Sequence, residues 1–135
     1  MRCVVVESPY RGNIEANADY ARRCLYDCLT RGEAPIASHL LYTQILDDEK
    51  KEERLLSILA GHAWIPLAAA LVVYIDRGIS EGMQYAIDLA KELGVGVEFR
   101  SLRPQESIAR QTIDLARELG VGVEFGSLRP KTRGN

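Results

Sequence analysis

The chain lacks a long hydrophobic run, a basic stripe and a metal-ligand spacing, and each absence removes a class of function. The longest apolar stretch, Leu67 to Ile75, is far too short to span a bilayer. Met1-Arg2 leads straight into a strand-like run, so no signal peptide is expected. The formal net charge is -2 and the Lys and Arg residues are scattered. Neither nucleic acid nor an anionic membrane is therefore an expected partner. Cysteine is scarce: Cys3, Cys24 and Cys28 are an odd number, two of them four residues apart on one predicted helix. A disulfide framework is not expected, and a reducing cytoplasm fits better. His39 and His62 lie far from the cysteines and show no zinc-type spacing. There is no P-loop, no G-x-G-x-x-G and no G-x-S-x-G, so neither a metal nor an organic cofactor is expected.

What is present is ordinary globular material. Hydrophobic residues make up 47% of the 135 and charged residues 27%, enough for one core. Arg2 to Glu7 reads as a buried strand, and Ser8-Pro9-Tyr10-Arg11-Gly12-Asn13 breaks it. Asn13 is a candidate N-cap for a helix whose apolar face is Ile14, Ala18, Ala21, Leu25 and Cys28, ended by Gly32. Pro35 to His39 reads as a second strand, Leu40 to Asp48 as an irregular connection, and Glu49 onward as a helix running to Pro66. Leu71 to Ile75 is the most hydrophobic strand and hence expected to be central. A helix marked by Met83, Ile87 and Ala90, with Ser80 as its N-cap, leads to a fourth strand over Val95 to Phe99. Alternating strands and helices predict an α/β fold with a parallel sheet.

The C-terminal third contains a tandem repeat. Residues 87–104 and 113–130 match at sixteen of eighteen positions, differing at Lys91 versus Arg117 and Arg100 versus Gly126. One helix-strand unit has been duplicated. The second copy is expected to add a parallel edge strand, giving order 2-1-3-4-5 and covering the fourth strand. The near-identity leaves a rival open, in which one copy occupies the slot and the other is looped out or swapped between chains. The expected organisation is a domain over 1–104, a helix-strand extension over 105–130 and a disordered tail over 131–135.

Ligands in such sheets bind beyond the carboxyl ends of the strands, near the point where strand order reverses. That places Ser8, Pro9, Tyr10, Arg11 and Gly12 after strand one, Ser38, His39 and Tyr42 after strand two, and Asp76, Ser80, Glu81, Gly82 and Met83 after strand three. Arg11 can fork onto a phosphate or carboxylate, or simply be solvated. His39 can donate to a ligand oxygen, act as an acid, or cap a loop carbonyl. Asp76 can bind a sugar hydroxyl or move a proton. Glu81 is a second acidic candidate, although a first-turn Glu is favoured by the helix dipole in any case. Gly82 leaves room against the helix start.

The segments VVVESPYRGN, YARRC, RGEAPIASHLLYTQ and LVVYIDRGISEGMQYAIDLAKELGVGVEF together resemble the nucleoside 2-deoxyribosyltransferase-like superfamily, over roughly residues 1–103. Its small members, common in phage and bacterial genomes, are the nearest in pattern. The resemblance implies a flavodoxin-like fold, a nucleoside or nucleotide ligand, and assembly as a homodimer or larger. Tyr10 matches the first-loop aromatic and Asp76 the acidic residue after strand three. Enzymes of that superfamily use a Glu four residues after a glycine to attack the sugar. Gly82 aligns with that glycine, so the nucleophile position is Ala86, which has no nucleophilic group. The resemblance therefore implies a pocket that binds a nucleotide-derived molecule without the usual cleavage, possible as a means of sequestering it. An N-glycosidase acting through Asp76 or Glu81, and a ligand-free interaction module, remain as alternatives.

Overall fold

The computed structural model describes residues 1–103, 108–124 and 127–130. Strands β1 (Arg2–Glu7), β2 (Glu33–Ile36), β3 (Ala70–Tyr74) and β4 (Val97–Arg100) form one parallel sheet in the order β2-β1-β3-β4. Helix α1 (Ile14–Thr30) joins β1 to β2. The short α2 (Ser38–Leu41) and α3 (Lys51–His62) join β2 to β3, and α4 (Glu81–Glu92) joins β3 to β4. Order and alternation are those of a flavodoxin-like sandwich, the α/β parallel sheet that the strand-helix pattern predicts and the fold that the resemblance implies. No helix among the described residues is long and apolar enough to cross a membrane.

Side-chain alternation along the strands builds two apolar layers. Val4, Val6, Val72 and Tyr74 pack against Tyr20, Cys24 and Cys28 of α1. Val5, Leu71 and Val73 face the other way, onto Ile65 and onto Met83, Ala86, Ile87 and Ala90 of α4. All five residues of β3 are buried, which is why its sequence carries no polar alternation.

Three expectations need correction. The buried face of α1 is Asn17, Tyr20, Ala21, Cys24, Asp27 and Cys28, while Ile14 is exposed. The apolar spacing was right, but Tyr20 and Cys24 fill more of the sheet face than Ile14 can reach from the first turn. Strand β2 stops at Ile36, so Ser38 and His39 sit on α2 rather than at a strand end.

The third correction concerns the duplicated unit. Its helix forms as α5 (Ile108–Glu118) and its strand as β5 (Val121–Glu124), but β5 does not extend the parallel sheet. It pairs antiparallel with β6 (Ser127–Pro130), with Val121 opposite Pro130 and Glu124 opposite Ser127. A partner two residues further along the chain costs far less loop-closure entropy than a crossover onto β4. Strand β4 remains the edge of the four-stranded sheet and carries Glu98 and Arg100, charges that discourage strand addition. The expected tail, 131–135, lies outside the described residues.

Candidate ligand-binding site

The order of the sheet reverses at β1, between β2 and β3, and the polar residues at that end form connected groups. Ser8 is buried, and its Oγ lies 2.8 Å from His39 Nε2. The Tyr10 ring meets the His39 ring edge-on, with centroids 6.3 Å apart and planes at 67°. Burial pushes the His39 pKa down to about 4, so its imidazole is neutral at physiological pH. A neutral imidazole can donate from one nitrogen and accept at the other. The Thr43 hydroxyl donates to the His39 carbonyl at 2.7 Å and steadies α2.

The Ser8–Asn13 loop is held from α1. Asn17 Nδ2 donates to the carbonyls of Tyr10 and Arg11, at 3.0 and 2.9 Å. Asn13 caps α1, accepting from the Ala16 amide at 3.2 Å. Gly12 has φ +100°, a left-handed conformation that glycine adopts without strain, and no atom crowds its Cβ position. Pro9 is half-buried in the same loop. Arg11 reaches outward and pairs with Asp48 at 3.3 Å. Its charge is thus partly engaged, yet on an exposed bond that a stronger anion could displace.

Asp76 has a structural task. It accepts from Tyr20 Oη at 2.6 Å and from the Leu102 amide at 3.1 and 3.2 Å. Its own amide donates to Tyr20 Oη at 3.1 Å. The carboxylate ties α1, β3 and the segment after β4 together. The Arg77 guanidinium stacks over the same Tyr20 ring, 5.0 Å from its centroid. Desolvation first, and then the Asp76 hydrogen bond, raise the Tyr20 pKa.

The start of α4 is built as expected. Ser80 Oγ accepts from the Met83 amide at 3.2 Å, and Met83 Sδ accepts from the Ser80 amide at 3.4 Å. Gly82 has open space at its Cβ position, and Glu81 is exposed. Ala86 is fully buried against the sheet. The Tyr42 hydroxyl, in the turn after α2, accepts from Trp64 Nε1 at 2.8 Å. Ser38 packs against Gly61 of α3. Among the sequence candidates, then, Ser8, Tyr10 and His39 meet directly. Asp76, Arg11 and Tyr42 are each engaged with residues from outside the candidate set.

Sequence reasoning missed Glu7. By alternation it shares the face of Val5, and in register it pairs with Val73, so its carboxyl sits on the α4 side of the central strand's carboxyl end. It is half-buried and has no hydrogen-bond or ion-pair partner shown among the described residues. Burial raises its pKa to about 8. The signal was available: a carboxylate at the last inward position of a Val-Val-Val strand has no structural reason to be there.

A solved structure of a 2-deoxyribosyltransferase from the psychrotolerant bacterium Bacillus psychrosaccharolyticus is similar to this chain. The TM-score is 0.56 at 16% identity, over 78% of this chain and 76% of that one. At that identity the likeness concerns the fold. No curated protein matches the chain. Residues 2–100 match the family described as a domain of unknown function (DUF7768), and the chain belongs to that family.

Proposed function

We propose that the chain binds a nucleoside or nucleotide at the carboxyl end of β1, between the Ser8–Asn13 loop, α2 and the start of α4. The observation that carries this reading is the Ser8–His39 hydrogen bond with the Tyr10 ring against it, at the reversal point of the sheet. A neutral imidazole and a hydroxyl suit a sugar's alternating donors and acceptors. The Tyr10 ring offers a face or edge to a base. The open Gly82 and the free amides of the first turn of α4 leave room for a polar group there. Arg11 can leave Asp48 for a phosphate. The fold shared with a 2-deoxyribosyltransferase, and the motifs quoted above, supply the ligand class.

Binding is preferred to cleavage through the sequence candidates. Asp76 is engaged by Tyr20 and Leu102, Glu81 is exposed, and position 86 is Ala. The protein's partner is thus a small molecule, and its working form is proposed to be a homodimer.

Isothermal titration with a panel of nucleosides and their monophosphates tests the reading. His39→Ala should weaken the best ligand about tenfold, the size of one hydrogen bond and a ring contact, ~1.5 kcal/mol. Absence of any heat or retention at about 1 mM ligand, where binding amounts to only ~4 kcal/mol, would sink the proposal.

A further inference from the structure

We infer that Glu7 is the group that donates a hydrogen bond to an acceptor atom of the ligand, a ring nitrogen or carbonyl oxygen of the base. The inference rests on the nucleoside-binding reading and assigns that site a recognition residue.

Three features of the geometry support it. Glu7 ends the central strand β1, next to the strand-order reversal and directly before Ser8, which bonds to His39. Alternation turns Glu7 to the opposite face from Val6, towards the layer of Val5, Val73, Met83 and Ala86. On that layer the helix contributes only apolar side chains, Met83 and Ala86 among them, so the strand supplies the carboxyl. Finally, the carboxyl is half-buried with no protein partner shown among the described residues, which leaves its oxygens open to an incoming group. A ligand is the partner that the site provides for.

The protonation state fixes the direction of the bond. With a pKa near 8, caused by burial, Glu7 carries its proton at neutral pH and donates. The groups facing it do not alter this. Ile36, Val73, Met83 and Ala86 are apolar. His39 of α2 is neutral, and burial also lowers the pKa of His62 at the end of α3. Among the charged groups of this end, Asp76 is bound to Tyr20 and Leu102, Arg77 lies over the Tyr20 ring, Arg11 pairs with Asp48, and Glu81 is exposed.

The test uses adenosine, guanosine, cytidine and thymidine, titrated calorimetrically into the full chain between about pH 6 and about pH 10. Wild-type affinity for the best of the four should hold below pH 8 and then fall about tenfold per pH unit, as the donor is lost. Glu7→Gln keeps an N–H donor of the same shape and cannot titrate, so its affinity should stay level across the range. Wild-type affinity that stays level to about pH 10, or an equal fall in Glu7→Gln, overturns the inference while leaving the nucleoside site standing. No binding of any of the four by wild type overturns both.

A second measurement needs no ligand. A carboxyl whose pKa rises from 4.5 to about 8 on folding contributes most below pH 4.5, and that contribution is lost as pH climbs to 8. The wild-type unfolding midpoint should therefore fall relative to Glu7→Gln between those values. Parallel curves for the two proteins would also overturn the assignment.

Discussion

Arg100 anchors the first of two nearly identical segments in the sheet. Its guanidinium makes a bidentate pair with Glu33, at 2.6 and 2.8 Å, and both side chains are more than nine-tenths buried. Arg2 adds a further bond to Glu33 at 3.0 Å. Burial alone would raise the Glu33 pKa, but these arginines outweigh it and hold the carboxyl below its usual value. The corresponding residue of the second copy is Gly126, which has no side chain to offer Glu33. One of the two differences between the copies is thus the residue that anchors β4. Arg100→Gly should destabilise the protein by about 3 kcal/mol, because it leaves Glu33 buried with only Arg2. Urea denaturation measures this, and a loss under about 1 kcal/mol would remove the anchoring role. At this scale the sequence was half legible. Ser8, Tyr10 and His39, singled out by loop position and residue type, do lie together. Asp76 looked free because Tyr20 and the Leu102 amide, 56 and 26 residues away, could not be seen to converge on it.

At the scale of elements, the helices and strands followed their periodicities, and the errors fell at boundaries and on faces. Apolar residues define a stripe, but only packing decides which edge of the stripe is buried. On α1 the choice goes to Tyr20 and Cys24 over Ile14. Helix α2 escaped detection because four residues are too few to show a period. Its placement is nonetheless tight. A Cβ on Gly61 of α3 would run into Ser38 Oγ and lie 2.8 Å from Ser38 Cβ, so the two helices approach only because residue 61 is glycine. Gly61→Ala should push α2 outward, carrying His39 off Ser8. The expected result is a loss of about 1–3 kcal/mol in stability. With it, the His39 pKa should move from about 4 back towards its ordinary 6.5 as the ring gains water. Histidine NMR titration reads the second effect, and an unchanged His39 curve would show that α2 has another anchor.

At the scale of the molecule, the sheet order was legible, because βαβ units and right-handed crossovers leave few alternatives. The fate of β5 was not, since β6 is a four-residue segment of weak strand pattern and its pairing wins by proximity alone. Assembly is the remaining question at this scale, and α3 addresses it. Gly61 is the only buried residue of the helix, while Leu55, Leu56, Ile58 and Leu59 are exposed by 41–57%. Ile45, Trp64 and Leu67 beside it are exposed as well. An amphipathic helix of a lone domain hides its leucines, and we propose that these are buried in an interface. The surface in water amounts to on the order of several hundred Å2, approaching the ~800 Å2 per partner of a stable interface. A second copy is the simplest occupant, because a two-fold pairing sets the same apolar face against itself. Light scattering should then give twice the 15.0 kDa chain mass at micromolar concentration. Leu55→Glu combined with Leu59→Glu should yield a monomer with an unchanged far-ultraviolet circular dichroism spectrum, since neither side chain supports the core. Those two positions lie one turn apart on the helix, so the charges meet across the axis and repel. Wild type at monomer mass throughout the range would refute the dimer, and a dimer that survives both substitutions would move its interface away from α3.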